Sequence, residues 1–407
     1  MQSKSKTVFI ISLLILFFNF YSISFLPFNS IVLELIFILQ LFSFFVLFTF
    51  TFRFDSLMNY AFPKISMFSV TVTFLLLSFL VSNFYFNSGT NTITSYFKIL
   101  SYFILFYVFL KCFAEYLFLN ENSFEIFLNI ILVFTIVNSI LSIFFNIIGL
   151  NQNPIYPNHT LGLFTHPNTI SNVFTLSIPV LFYKYFSGKI NAVIFYILLL
   201  LFSYCLLFTF SRAGYLGTLI AILLITFFKS KKAFIFTLVI IAAISFYFVF
   251  DVASSKTNSS FARILLIATA IDMITTNLTT FLGGYGVYNA IEVFKNEKVF
   301  FGNYESVVDP HNTILLLGIQ FGMIVSLISI LIVLAISVKV SIKAKYLDLK
   351  DKLKANLLVT VIISILFHNM LEDILVYPEY FVMPVFLTFF GILLIYNKML
   401  NSRSKVE

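Results

Sequence analysis

The amino-acid sequence predicts an all-α polytopic membrane protein of about 12 transmembrane helices, because apolar runs of 18 or more residues recur from end to end. Of its 407 residues, 60% are hydrophobic and 10% are charged, whereas a soluble domain carries about 25% charged residues. The mean hydropathy is +1.02. No stretch is polar enough and long enough for a soluble domain, so we expect residues 1–407 to form one integral membrane domain.

The apolar runs, taken in order, place the predicted spans near residues 8–26, 30–52, 65–86, 97–119, 125–150, 170–186, 190–210, 213–228, 233–250, 313–338, 356–371 and 380–397. The first run resembles a signal peptide. It lacks an A-x-A-like cleavage site and further spans follow, so we expect a retained signal anchor. Cys112 and Cys205 fall at a cytoplasmic helix end and inside a span, which predicts no disulfide. No His/Cys cluster indicates a structural metal, and we expect no cofactor.

The basic residues determine the predicted orientation. With the N-terminus in the cytoplasm, the 25 basic residues all lie on the cytoplasmic side except Lys98, Arg212, Lys256, Arg263, Lys295 and Lys298. The positive-inside rule therefore places both termini in the cytoplasm and the loops 87–96, 151–169, 251–312 and 372–379 outside. The net charge of +8 follows this topology, so it indicates a bilayer and not a nucleic acid as the partner.

The loop 251–312 is the longest of the predicted outer loops. Its stretch 261–278 has helical character but is interrupted by charged residues, which favours an interfacial helix over a thirteenth span. The glycine run at 283–286 then breaks regular structure. Long ordered loops are commonly functional, so we expect this loop to carry part of a site.

Arg212 lies between two closely spaced predicted spans, in Ser211-Arg212-Ala213-Gly214 on the outer side. A snorkelling arginine at the interface is the structural alternative. Against it, an arginine between two spans is costly to place without a partner, and the small residues beside it permit close helix packing. Arg212 is therefore a candidate anion-binding residue, with Ser211 in support.

Arg263 is the second outer arginine and opens the interfacial helix. Its structural alternatives are snorkelling or an ion pair with Asp251 or Asp272. On the same face as Arg212, it supplies a second permanent cation, and the planar guanidinium matches phosphate oxygens. Two such cations can hold a diphosphate.

His311 precedes the predicted span 313–338, in Asp309-Pro310-His311-Asn312. Pro310 suits the start of a helix and Asn312 suits its N-cap. A histidine held there can act as a base, and Asp309 is a candidate to orient it. A solvated histidine at a helix start is the structural alternative, and the other histidines, among them His368, are expected to be interface residues.

Four sequence pieces together resemble the O-antigen ligase and O-antigen polymerase superfamily of bacterial membrane glycosyltransferases. They are Gly162-x-Phe-x-x-x-Asn168, which contains His166; Ser-Arg-Ala-Gly at 211–214; the Arg263 helix running to Gly-x-Gly at 284–286; and the pattern His-Asn-x-x-Leu with a later glycine at 311–322. Each piece is weak alone. Their order is more specific, because it combines a span pair, a long outer loop and a returning helix.

The resemblance implies a chemistry. The donor would be a glycan on undecaprenyl diphosphate, held by Arg212 and Arg263 at the periplasmic face of the bacterial inner membrane. His311 would activate the acceptor hydroxyl, with Ser211, Asp309, Asn312, Asn168 and His166 in support. The resemblance further implies an inverting reaction without a metal, although acidic residues of the outer loop leave a metal site open.

Three functions remain open at this point. A polymerase would add the glycan to another lipid-linked repeat unit, with a chain-length regulator as a candidate partner. A ligase would add it to lipid A-core. An exporter or flippase would instead predict charged residues within paired spans and internal repeats, whereas most spans here are uncharged. The Phe-rich composition indicates A/T-rich codons, typical of exchanged O-antigen or capsule gene clusters, and favours the polymerase.

Overall fold

A computed structural model provides the structure and describes residues 106–149, 159–164, 166–239, 257–286, 289–297, 310–373, 375 and 382–403. The predicted spans 8–26, 30–52 and 65–86 lie outside these residues, as does Asp309. The predicted spans 97–119 and 233–250 are described only in part, over 106–119 and 233–239, and are helical there.

Within these ranges every regular element is a helix, which confirms the all-α prediction. In chain order, a π-helical segment (Phe106–Phe113) leads into α1 (Ala114–Leu119), α2 (Glu121–Ile147), α3 (Pro167–Phe186), α4 (Ala192–Leu207), α5 (Arg212–Lys229), α6 (Thr257–Thr275), α7 (Leu278–Gly283), α8 (Asn289–Glu297), α9 (Thr313–Phe321), α10 (Met323–Lys343), α11 (Leu349–Asn369) and α12 (Val382–Arg403).

By length and apolar composition, four of the described helices can cross a membrane: α2, α5, α10 with the turn that follows it, and α12. The chain is therefore an integral membrane protein. The predicted spans 125–150, 170–186, 190–210, 213–228, 356–371 and 380–397 correspond to α2, α3, α4, α5, α11 and α12. The total of about 12 spans stays a prediction.

Helices α3, α5 and α11 pack together as a central bundle. Two glycines of α5 permit this close packing. A Cβ on Gly214 would lie 2.4 Å from Ser171 Cβ of α3. A Cβ on Gly217 would lie 2.8 Å from Thr175 Cγ2 of α3 and 2.9 Å from His368 Cβ of α11. The small residues beside Arg212 thus allow close helix contact, as predicted.

Charged side chains pair at one end of this bundle. Glu125 of α2 lies 2.6 Å from both Lys184 and Lys189 at the end of α3, and Lys350 of α11 pairs with Glu121 of α2. All three lysines belong to the set that the positive-inside rule places in the cytoplasm. Their grouping at one end agrees with that topology, and the opposite end holds the candidate site.

The predicted span 313–338 is not one continuous helix. Helix α9 ends at Phe321 and α10 begins at Met323, with Gly322 between them at φ 89° and ψ 150°. This region of backbone conformation is essentially restricted to glycine. The prediction of a continuous span was wrong, because an apolar run does not reveal a single glycine that ends a helix within it.

The glycine run 283–286 fills the break between α9 and α10. The backbone amides of Tyr285 and Gly286 donate to the carbonyl oxygens of Ile319 and Gln320, at 2.7 and 3.1 Å. Carbonyls in the last turn of a helix have no partner within that helix. The loop therefore satisfies backbone groups that the break exposes, which is tolerated inside a membrane protein only where other protein supplies the partners.

Helices α6, α8 and α9 share a second, smaller core, made of Leu266, Ala270, Met273, Ile274, Ala290, Phe294, Leu315 and Ile319. The predicted helix at 261–278 is thus confirmed as α6. Tyr285 borders this core, where its hydroxyl donates to the Met273 carbonyl oxygen (3.2 Å) and burial raises its pKa. This core places the helix that carries Arg263 beside the helix that His311 precedes.

We predict that Gly284→Ala lowers the free energy of unfolding by about 1–3 kcal/mol. Gly284 has φ 68° and ψ −166°, and an added Cβ would lie 2.6 Å from the Ile319 carbonyl oxygen. The matched control is Gly283→Ala, because nothing lies within 4 Å of its Cβ. Thermal unfolding of the purified protein in detergent measures both variants, and equal midpoints would contradict this account of the loop.

Candidate active site

Glu372 lies at the centre of the candidate site. It follows α11, and its side chain is only 3% exposed. Its Oε1 accepts hydrogen bonds from the Asn168 amide and from Arg263 Nη2 (3.0 Å), while Oε2 lies 3.8 Å from His311 Nδ1. A buried carboxylate is stable only with such partners. Residues from three distant parts of the chain therefore converge on one side chain.

The start of α3 positions Asn168. Pro167 occupies the first helical turn, where its missing N–H costs nothing, and His166 is the N-cap, with Nδ1 accepting from the Asn168 amide N–H at 3.2 Å. Asn168 is 6% exposed. Its side-chain amide links two other elements: Nδ2 donates to Glu372, and Oδ1 accepts from the Ser211 hydroxyl at 2.6 Å.

Ser211 joins α5 to this network. It is the N-cap of α5, where its Oγ accepts from the Gly214 amide at 3.0 Å. The Ser171 hydroxyl of α3 also donates to Ser211 Oγ, at 2.8 Å. Ser211 thus makes a helix cap and two bonds to α3, which fixes the end of α5. The predicted supporting residues Ser211, Asn168 and His166 lie next to one another in space.

Arg212 is the first residue of α5 and is partly buried. It follows directly after Ser211, so it lies at the helix end that is connected through Asn168 to Glu372. The structure places Arg212 at the same end of the bundle as Arg263 and His311, as the sequence predicted. A cation at this position is not stabilised by the helix dipole, which agrees with a role for Arg212 beyond capping.

Arg263 extends from α6 onto the segment that follows α11. Its Nη1 donates to the Leu371 carbonyl oxygen and its Nη2 to Glu372 Oε1, both at 3.0 Å. The sequence had left open an ion pair with Asp251 or Asp272. Asp272 is exposed and Asp251 lies outside the described residues. The partner is Glu372, and the second terminal nitrogen is held by the Leu371 backbone carbonyl.

His311 is held in the left-handed backbone region at φ 48°, which is uncommon for a residue other than glycine. The next residues anchor it. Asn312 caps α9 through the Leu315 amide (3.0 Å) and donates to the Met370 carbonyl oxygen (2.7 Å). The Thr313 amide donates to the Glu372 carbonyl oxygen (3.0 Å). The start of α9 is therefore fastened to the end of α11, and Asn312 caps its helix as predicted.

The residues that could bind a metal ion in this site include Glu372, which already accepts a hydrogen bond from Arg263. Atoms of His311, Glu372 and Asp373 lie within 4.8 Å of one another, the only such group among the described residues. However, Glu372 Oε1 already accepts from Arg263, whose fixed positive charge would repel a divalent cation. A metal ion at this position would therefore compete with Arg263 for Glu372.

His368 lies deeper than the sequence suggested. It was expected at an outer interface, but it is fully buried between α3, α5 and α11, with Nδ1 3.3 Å from Thr175 Oγ1. It precedes Glu372 by four residues and lies in the last turn of α11. The difference arises because glycine contacts draw the helix ends together, and a single sequence does not show which helices touch.

Residues 197–330 match the family model described as O-antigen ligase. This segment is similar to an O-antigen ligase domain. The resemblance drawn from the sequence motifs is thereby confirmed, and the domain indicates a membrane glycosyltransferase of the O-antigen ligase and polymerase type, a family that acts on lipid-linked glycans. A search of curated proteins finds no match.

The matched segment contains Arg212, Arg263 and His311, whereas Asn168 and Glu372 lie outside it. Sequence reasoning missed Glu372 as a site residue. Its signal was present, because it is an acidic residue in a short predicted outer loop of a chain with only 17 acidic residues, on the predicted face of the two outer arginines. The arrangement offers fixed cations, a histidine and a carboxylate at one end of the bundle.

We predict that Asn168→Ala lowers the free energy of unfolding by about 1–3 kcal/mol, because it leaves Glu372 and Ser211 each short of a hydrogen-bond partner in the interior. The control is Asn172→Ala, one turn along α3. Asn172 is equally buried, but its side-chain amide has no hydrogen-bond partner among the described residues. Denaturation midpoints of the two variants test the network, which would be refuted if Asn172→Ala proved the more damaging change.

Proposed function

We propose that this protein is an O-antigen or capsule repeat-unit polymerase. It transfers a glycan from undecaprenyl diphosphate to an acceptor hydroxyl at the periplasmic face of the bacterial inner membrane. The observation that carries the proposal is the convergence of Arg263 and His311 on Glu372, at the bundle end that also holds Arg212. The whole chain forms one membrane domain with both termini in the cytoplasm, and loop 251–312 carries part of the site.

The arginines bind the donor in this mechanism. Arg263 is held by the Leu371 carbonyl oxygen and by Glu372. These bonds use two of the five N–H donors of the guanidinium, and the others can bind a diphosphate. Arg212 supplies the second cation. As the bond from the anomeric carbon to the diphosphate oxygen breaks, the diphosphate leaves with the electron pair, and permanent positive charges stabilise the developing negative charge.

His311 acts on the acceptor. The acceptor hydroxyl oxygen attacks the anomeric carbon while the imidazole takes the hydroxyl proton, so one bond forms as the bond to the diphosphate breaks. A single displacement of this kind inverts the anomeric carbon. A diphosphate is already a good leaving group and two arginines balance its charge, so the reaction proceeds without a metal ion.

The second candidate is an O-antigen ligase that transfers the glycan to lipid A-core. The description of the matched family favours it. Both reactions use the same donor chemistry, so the residues above serve either one, and only the acceptor differs. An exporter is the alternative of another class, and it would move lipid-linked glycans without joining them.

The decisive experiment supplies the purified protein in detergent with a lipid-diphosphate-linked repeat unit, alone and with lipid A-core. Products longer than one repeat from the donor alone support the polymerase. Products formed only with lipid A-core support the ligase. No joined product in either case, with lipid movement in vesicles, would favour the exporter. Activity that survives EDTA agrees with the metal-independent mechanism, and loss of activity with recovery on adding Mg²⁺ would overturn that part.

In this assay we predict that Arg212→Ala and Arg263→Ala each reduce transfer by about 10²-fold or more, because each removes a charge that stabilises the leaving group. Arg263→Lys should recover activity only in part, since an ammonium cannot occupy both fork positions. The control is Lys295→Ala, which removes an exposed cation of α8. Full activity in Arg263→Ala would exclude that residue from the site.

For His311→Ala we predict loss of transfer by about 10²–10⁴-fold with retained binding of the lipid-diphosphate donor, because the arginines carry binding and the histidine carries proton transfer. The wild-type rate should fall as the pH is lowered, since a protonated imidazole accepts no proton. Donor binding and the rate–pH profile are measured together. Wild-type turnover in the variant, or loss of donor binding with an unchanged acidic limb, would contradict the role of base.

A further inference from the structure

Glu372 presents two oxygens to two different groups. Oε1 is bonded to Asn168 and Arg263, and Oε2 faces His311 Nδ1 at 3.8 Å. We propose that Glu372 is a positioning residue that holds the proton of His311 on Nδ1, so that Nε2 is the atom that receives the acceptor proton. This inference rests on the proposed function for its catalytic meaning, but the Glu372–His311 pair can be tested without it.

The backbone sets the separation of the two side chains. Thr313 donates to the Glu372 carbonyl oxygen through both its amide (3.0 Å) and its hydroxyl (3.2 Å), and Asn312 donates to the Met370 carbonyl oxygen (2.7 Å). These bonds do not involve the Glu372 carboxylate. His311 and Glu372 therefore remain neighbours when the carboxylate is altered, which allows the carboxylate to be changed by itself.

Two donors hold one oxygen of this carboxylate. The Arg263 guanidinium and the Asn168 side-chain amide both donate to Oε1, and Arg263 forms an ion pair with Glu372. The neighbouring carboxylate of Asp373 also lies near His311, within the same 4.8 Å group. Two donors to Oε1 fix the orientation of Glu372, and Oε2 lies 3.8 Å from His311 Nδ1.

An anion beside one ring nitrogen selects the tautomer of a histidine. The N–H bond points at the anion, and the lone pair is then on the other nitrogen. Pairs of this kind are commonly longer before substrate binds than during the reaction. At 3.8 Å, Glu372 Oε2 is close enough to orient the ring. In this arrangement the proposed proton acceptor is Nε2.

The test uses Glu372→Gln, which keeps the shape of the side chain. Its carbonyl oxygen still accepts from Asn168 and Arg263, but an N–H replaces the oxygen that faces Nδ1. An N–H at that point donates to Nδ1 and so moves the ring proton to Nε2. We therefore expect transfer to fall by about 10²–10⁴-fold in kcat, with a much smaller change in the KM for the donor.

A readout independent of turnover is the ¹⁵N spectrum of the histidine rings in the full-length protein in detergent, at a pH where the ring is neutral. The chain has only 4 histidines, and His311→Ala assigns the signal. The wild type should show His311 protonated at Nδ1, and Glu372→Gln should show it protonated at Nε2. The control is Glu125→Gln, which breaks a comparable ion pair at the opposite end and should leave the His311 signal unchanged.

Each outcome decides the proposal. A wild-type His311 protonated at Nε2 overturns it even if Glu372→Gln does not fold. The same tautomer in both proteins also overturns it, as does a Glu372→Gln variant that loses donor affinity but keeps kcat, because Glu372 would then serve only Arg263. If the wild type transfers no glycan from a lipid diphosphate, the proposed function fails, whereas the tautomers still report on the pair.

Discussion

The buried carboxylate of Glu372 is the constraint on which the site depends. A charge that is almost withdrawn from solvent must be matched by donors, and two separate elements supply them: α3 through Asn168 and α6 through Arg263. His311, at the start of α9, lies 3.8 Å from the second carboxylate oxygen. The contacts that stabilise the carboxylate therefore bring the ends of these three elements together. The hydrogen bonds of Glu372 therefore contribute both to the local packing and to the arrangement of the candidate site residues.

Two kinds of glycine contact make this arrangement possible. In α5, Gly214 and Gly217 let the helix lie directly against α3 and α11, so that Ser211 reaches Asn168. In the loop region, Gly284 and Gly322 adopt backbone conformations that other residues avoid, and the loop binds the end of α9. A helix broken in this way starts and ends within the protein, so its first turn can place His311 at the site.

The charged residues are arranged differently at the two ends of the central bundle. At the end predicted to be cytoplasmic, lysines pair with Glu121 and Glu125 and follow the membrane topology. At the other end, Glu372 pairs with Arg263 and lies 3.8 Å from His311, and Arg212 begins α5. The first pattern is typical of orientation in a bilayer. The second is typical of a binding site, because fixed charges there are few, directed and partly withdrawn from water.

The sequence by itself determined the helical class, the apolar segments, the capping residues such as Asn312 and the candidate residues Arg212, Arg263 and His311. These follow from hydrophobicity, local hydrogen bonding and the placement of charges, which act over a few residues. The tertiary structure decided the break at Gly322, the burial of His368 and the central position of Glu372. These depend on contacts between residues that lie up to 204 positions apart, as for Asn168 and Glu372. Local sequence patterns do not identify such partners. The sequence around an acidic loop residue is the same whether its carboxylate is hydrogen-bonded to water or to an arginine.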